Sequence, residues 1–241
     1  MRILCIMTIY NEIDFLPYKA EWCRRNGLDL YVIDNYSTDH SYGWLKSHGI
    51  DCHQVDTKEA FDLRILQKEI IKTTNRIKPD WVVYNGADLF IFAEKAISHL
   101  CMDAEEQGKN IIGFPLIDIC NIGEERVNNI LGRYFWYRDA IPMISFVYKW
   151  QPNIRYEADN VIFPGRKYLY PPGVMINYGR TKTKEQRKVL LKRREKAWKN
   201  GLAYTSGRHY LRESAKGFKW IKDELKDIRE SQYWKYLKDY V

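Results

Sequence analysis

Residues 2–39, RILCIMTIYNEIDFLPYKAEWCRRNGLDLYVIDNYSTD, decide how this chain folds. Arg2 to Ile9 is short, apolar and rich in β-formers, and the polar turn Tyr10-Asn11-Glu12 follows at once. From Asp14 to Asn26 the pattern becomes helical, and Gly27 supplies its stop. Asp29 to Ile33 is a second apolar strand, closed by the turn Asp34-Asn35-Tyr36-Ser37-Thr38-Asp39. Working outward, Tyr42 to Ser47 reads as a short helix ending at Gly49, and Ile50 to Val55 as a third strand. Ala60 to Arg76 is a long amphipathic helix ended by Pro79, and Trp81 to Tyr84 is a fourth buried strand. Strands alternating with helices imply an α/β fold: a mostly parallel central sheet flanked by helices on both faces. In such a sheet, ligands bind beyond the carboxyl ends of the strands.

Past the strand Ile111 to Ile117 the order is harder to read. Arg133 to Val147 is aromatic and is expected to contain sheet. Tyr168 to Ile176 reads as a strand interrupted by Pro171-Pro172-Gly173, and the final sixty residues read as helical. No repeat or low-complexity linker interrupts the chain, so a helical carboxyl-terminal extension (181–241) is expected to pack on one continuous domain (1–180).

Composition excludes several classes. At 241 residues, 45% hydrophobic and 15% aromatic, the chain is long and apolar enough for a substantial core and is not disordered. The net charge of +8 has a local origin: ten basic residues stand between Arg180 and Lys199 against Glu185 and Glu195. Five cysteines, an odd number without CxxC spacing, fit a reduced compartment. No apolar run reaches the roughly 18 to 20 residues of a membrane span. A cytoplasmic protein is expected, at most peripheral at the inner membrane face. The five histidines show no metal-ligand pairing, and Tyr134-Phe135-Trp136-Tyr137 suits core packing better than a sugar platform.

Three polar clusters end successive strands: Thr8-Ile9-Tyr10-Asn11-Glu12, Asp34 to Asp39, and Asn85-Gly86-Ala87-Asp88. Each alone is an ordinary turn. Their coincidence on one edge of a parallel sheet makes them a mouth.

The strings IMTIYNEIDFL, VIDNYSTDHS and PDWVVYNGADLFI resemble the amino-terminal half of glycosyltransferase family 2 and its GT-A-fold relatives, over roughly residues 1 to 95. A weaker likeness follows at Asn177-Tyr178-Gly179, before the basic stretch. The resemblance implies a transferase moving a sugar from a nucleotide diphosphate sugar to a glycan, lipid-linked or other hydroxyl acceptor. By position, Thr8, Tyr10, Asn11, Glu12, Asp34, Asn35, Ser37, Asp39, Gly86 and Ala87 would line the nucleotide site. Asp88 and Asn177 would hold a divalent cation, Mn²⁺ or Mg²⁺. The chain departs from the family where Gly86 replaces the first acid of the Asp-x-Asp pattern, Leu89 the acid before Phe90, and Asn177 a histidine, so weakened metal dependence is expected. Alternatively the basic stretch takes the place of the metal, with Arg180 and Lys182 pairing the diphosphate directly and the other basic residues forming a solvated helix face.

A catalytic base, required for an inverting transfer, has three candidates: Asp118 after its strand, Glu157 and Asp159. Two other readings remain open: a degenerate nucleotide-sugar or glycan binder without turnover, and a basic peripheral binder of membrane or nucleic acid. A nucleic-acid partner is not expected, since the same basic and aromatic spacing packs against a sheet.

Overall fold

The computed structural model describes residues 1–58, 60, 62–120, 136–137, 141–157, 160–178, 184–199 and 226–237. At its centre is β1 (Ile3–Ile9), in which every residue except Thr8 is buried. A run apolar on both sides of the pleat demands cover on both faces. β1 pairs in parallel with β2 (Asp29–Asp34) on one side and β4 (Trp81–Tyr84) on the other, and β3 (Asp51–Gln54) adds in parallel to β2. This is the parallel sheet that the alternating pattern predicts. It sets Ile9 opposite Asp34, so the loops after β1 and β2 leave the sheet side by side.

Beyond β4 the sheet is mixed. β8 (Ile141–Lys149) runs antiparallel between β4 and β6 (Ile111–Cys120), which restores β6 to the direction of β4. β12 (Gly173–Asn177) is parallel to β6 and antiparallel to β5 (Leu89–Ala93), and β11 (Tyr168–Leu169) lies beside the start of β6. At the end of β6, β7 (Trp136–Tyr137) pairs antiparallel and carries β13 (Lys226–Asp227). β9 (Arg155–Glu157) and β10 (Asn160–Ile162) form a separate antiparallel pair. The carboxyl ends of β1, β2, β4, β6 and β12 therefore share one edge.

Several boundaries differ from the sequence reading for local reasons. α1 (Leu16–Asn26) starts later than Asp14 because the Glu12 carbonyl first closes a turn with the amides of Phe15 and Leu16. α2 (Ser41–Ser47) is as expected. α3 (Leu63–Ile77) starts three residues after Ala60, where the Asp62 carboxylate caps the amides of Arg64 and Ile65 at 3.0 and 3.3 Å. β5 and α4 (Ile97–Glu106) follow β4 and went unread in the sequence. Gly173 explains the Pro-Pro-Gly interruption: a Cβ there would stand 2.8 Å from the Phe92 carbonyl and 2.9 Å from the Phe114 ring, so β12 enters the sheet only with glycine in first place. α5 (Lys184–Lys199) is helical as expected. Lys226–Asp227, read as helix, are a strand because β7 offers them an edge. They lead into a 3₁₀ turn, Ile228–Glu230, and a one-turn helix, Trp234–Leu237.

Candidate active site

The loops after β1 and β2 are tied to each other by the polar side chains the sequence singles out. Ser37 Oγ accepts from the Asn11 amide at 2.9 Å, and the Thr38 amide donates to Asn11 Oδ1 at 2.7 Å. The Ile13 amide donates to Asp39 Oδ2 at 3.0 Å, and the Glu12 amide to Ser41 Oγ at 3.2 Å. Asn11 and Tyr36 both take left-handed backbone conformations, φ 56° and 52°, within this network. A non-glycine residue held there needs support from its surroundings, and tyrosine more than asparagine. The mouth is thus a prearranged rim.

Asp34 lies beneath the rim, fully buried. Its carboxylate accepts from the Ser37 amide at 3.1 Å, from the Ser37 hydroxyl, and from Gln54 Nε2 at 2.9 Å. A buried carboxylate requires such donors.

The third loop joins the same edge through β5 and β12. Asn177 pairs in register with Leu89 on one side and Asp118 on the other, and the Tyr178 amide donates to the Asp88 carbonyl at 2.8 Å. Asp118 lies inside β6, which runs on to Cys120, and not after the strand as the sequence suggests. It is 5% exposed, and its Oδ1 accepts from Asn177 Nδ2 at 2.7 Å. The candidate base and a candidate metal ligand are therefore one hydrogen-bonded pair. Among the described residues no three His, Cys, Asp or Glu side chains gather as a metal cluster. Asp88, the candidate cation ligand, is joined to this end through its backbone carbonyl, and Asn177 through its side-chain amide.

Lys19 connects the two halves of the mouth from below. It is fully buried, donates to Asn85 Oδ1 at 3.2 Å and to the Leu89 carbonyl, and sits 4.7 and 4.5 Å from the ring centres of Trp22 and Phe90. Burial pushes its pKa down, opposed by the nearby Cys5 and Cys23 thiols and by Asp88. Nothing local marks it as buried: the other basic residues of its helix, Arg24 and Arg25, are exposed.

Arg193 is the second residue the sequence reading missed. It belongs to the basic stretch expected to be solvated, yet it is only 7% exposed. Its guanidinium lies 3.4 Å from the centre of the Tyr10 ring and donates to the Ala60 carbonyl at 3.2 Å. With the Asn35 amide turned so that its oxygen faces the guanidinium, Arg193 reaches it at 2.8 Å, and the amide nitrogen donates to the Val55 carbonyl at 3.0 Å. Gln186, earlier on the same helix, donates to Asp14 at 3.3 Å. α5 is therefore docked across the β1 and β2 loops.

Thr8 lies within β1, and Gly86 and Ala87 in the β4–β5 connection. Glu157 ends β9, opposite Asn160, and its side chain lies outside the described residues, as do Asp159, Arg180 and Lys182. A cleft of about 550 Å³ opens at the opposite edge of the sheet, lined by Arg2, Tyr31, Lys46 and Arg76. Its charges are engaged, Arg2 with Asp29 at 2.8 Å and Arg76 with the Tyr31 hydroxyl at 3.0 Å. No described helix is long and apolar enough to cross a membrane.

No family model matches the chain, and no curated protein is significantly similar to it. Among solved structures it is similar to S. aureus TarS 1-349, with 11% identity over 80% of this chain and 64% of that one and a TM-score of 0.44. The same TarS fragment in complex with UDP-GlcNAc matches at 11% identity over 55% of this chain and 39% of that one, TM-score 0.36. Mannosyl-3-phosphoglycerate synthase from Rubrobacter xylanophilus matches at 17% identity over 53% and 43%, TM-score 0.36. The chain spans less than two thirds of each of these proteins. Likenesses of this size assign neither a family nor the role of any residue.

Proposed function

We propose that the chain is a glycosyltransferase that takes a sugar from a nucleotide diphosphate donor and passes it to a hydroxyl acceptor, glycan or lipid-linked. One observation carries this reading: the turns holding Asn11, Asp34 and Asp88 leave a parallel sheet at one edge, where the Asn177–Asp118 pair also ends. The motifs that resemble a nucleotide-sugar transferase in sequence are thus the loops that meet in space.

In this reading the nucleoside lies on the rim of Tyr10, Asn11 and the Asp34–Thr38 loop, and the diphosphate and sugar extend toward Asp88. Arg180 and Lys182, just beyond β12, pair the diphosphate. A Mn²⁺ or Mg²⁺ held by Asp88, Asn177 and phosphate oxygens would neutralise charge on the departing diphosphate. Asp118, oriented by Asn177, accepts the proton of the acceptor hydroxyl as its oxygen bonds to the sugar carbon. The electron pair of the breaking carbon–oxygen bond leaves with the nucleoside diphosphate. Glu157 and Asp159 are the alternative bases. α5 and the residues after it are an extension packed on this one domain, in a cytoplasmic protein.

The test is calorimetric titration with a panel of nucleoside diphosphates and their sugars, with and without Mn²⁺, beside an assay of donor hydrolysis and transfer. Saturable binding with slow hydrolysis supports the transferase, and no binding by any donor ends it. Binding without hydrolysis or transfer supports a second reading, a nucleotide-sugar binder without turnover, which the single carboxylate at Asp88 favours. The third, a basic surface for membranes, loses Arg193 to the interior, although Lys188, Lys192 and Lys196 stay exposed. Vesicle binding at low salt tests it.

A further inference from the structure

Among the described residues Lys19 is the only buried lysine. Its ammonium sits in a largely apolar cage formed by the Trp22 and Phe90 rings and the Cys5 and Cys23 thiols. An apolar side chain would fill this cage at less cost, because a buried charge gives up its hydration, and its replacement by an apolar residue of similar volume often leaves stability unchanged or raised. Stability therefore does not account for a lysine here. Its position does. Nζ donates to Asn85 Oδ1 at 3.2 Å and to the Leu89 carbonyl, so it joins the first residue of the β4–β5 connection to the first of β5. The same turn is closed by Asn85 Nδ2 on the Leu89 carbonyl at 3.4 Å and by the Leu89 amide on the Gly86 carbonyl at 3.3 Å. Asp88 is the only acid in residues 85–89, one residue before the carbonyl that Lys19 holds. The charges of Lys19 and Asp88 favour each other.

We infer that Lys19 is a resident counter-cation of the donor site: it braces the Asp88 turn from below and sets a fixed positive charge beside the one acid there. This rests on the reading of this edge as a nucleotide diphosphate site. A carboxylate with a lysine fixed near it attracts a second cation less strongly than a bare one. The same charge favours an anion bound against the turn. Where water is excluded, one such charge changes affinity by about tenfold or more. Lys19 thus supplies, from within the protein, part of the positive charge that a divalent cation would bring to the diphosphate.

The experiment titrates the full chain with UDP, CDP, GDP and ADP by calorimetry, in EDTA and in Mn²⁺, and compares the two affinities for the nucleotide that binds best. Wild type is expected to gain less than about 100-fold from Mn²⁺. Two variants remove the charge: Lys19→Met fills the cage, and Lys19→Gln keeps a hydrogen-bond donor. Both should bind about tenfold or more weakly in EDTA, and should gain from Mn²⁺ at least about tenfold more than wild type does. In an Asp88→Asn background the same substitutions should raise that gain by less than about threefold, because no carboxylate is left uncompensated. A brace that is only structural would weaken binding alike in both buffers, with a lowered melting temperature. That pattern, an unchanged or smaller gain in the variants, an equal increase with Asp88→Asn, or a wild-type gain above about 100-fold would each overturn the inference. If neither variant folds, the wild-type gain decides. A wild type that binds no nucleotide in either buffer removes the donor-site reading itself, whereas a binding wild type with unmoved variants removes only the role of Lys19.

Discussion

The carboxylate of Asp88 occupies the space that a side chain on residue 86 would need: its Oδ1 lies 2.7 Å from where a Cβ on Gly86 would stand. A side chain on residue 86 and the carboxylate of residue 88 therefore compete for one volume. With glycine at 86, the carboxylate lies against that position, and its charge favours the charged form of the buried Lys19.

Gly86→Ala should therefore displace the Asp88 carboxylate at little cost to the fold, because the atom in the way is the end of a flexible side chain. The expected loss of stability is below about 1 kcal/mol, a shift of a few degrees in Tm. Donor affinity measured in Mn²⁺ should change by about tenfold or more if Asp88 reads the metal or sugar. Unchanged donor affinity in both Gly86→Ala and Asp88→Asn would take Asp88 out of the site.

The Asn177–Asp118 pair separates charge from geometry. Asp118→Asn can keep the hydrogen bond and should melt near wild type, with transfer lowered by about 100-fold or more if Asp118 is the base. Asn177→Asp sets two carboxylates 2.7 Å apart and should cost about 3 kcal/mol at neutral pH. One of the pair then holds its proton above the unfolded pKa of about 4. The folded state binds the extra proton, so stability is retained below that pH and lost as pH rises through the raised pKa. Thermal melts from pH 4 to 8 report the slope, and a flat profile would contradict the geometry.

Asp34 holds the β2 loop together. Asp34→Ala leaves the Ser37 and Gln54 donors unmatched and should lose about 3 kcal/mol in urea denaturation. Ser37→Ala removes the hydroxyl bonded to Asp34 and the acceptor for the Asn11 amide, with an expected loss of about 1 to 2 kcal/mol. If both variants are as stable as wild type, the rim is not prearranged by these bonds.

Alkaline pH should expose the buried tyrosines. Burial pushes the pKa of Tyr148, Tyr156 and Tyr178 up, and the Tyr148 and Tyr156 hydroxyls are hydrogen-bonded to each other. The unfolded chain gives up these protons near pH 10 while the folded protein keeps them. Their contribution to stability is therefore fully present below about pH 10 and falls as pH rises beyond it. In an ultraviolet titration, exposed tyrosines should ionise first and these three only together with the loss of far-ultraviolet ellipticity. A smooth titration of all tyrosines near pH 10 with the fold intact would refute their burial.

What the sequence by itself determined is the amino-terminal half: β1, α1, β2 and β4, their parallel order, and the placing of Asn11, Asp34 and Asp88 at one edge. Apolar runs, helical periodicity and turn residues are local signals, and strands joined by helices in close succession leave little choice of direction. The tertiary structure decided the rest. Asp118 meets Asn177 across 59 residues of chain, and Arg193 meets Ala60 across 133, with nothing in the intervening sequence to announce either. Lys19 and Arg193 each resemble the exposed basic residues beside them. Which charged side chain of a helix is buried depends on the surface that the helix meets, and that surface is assembled from segments distant in the chain.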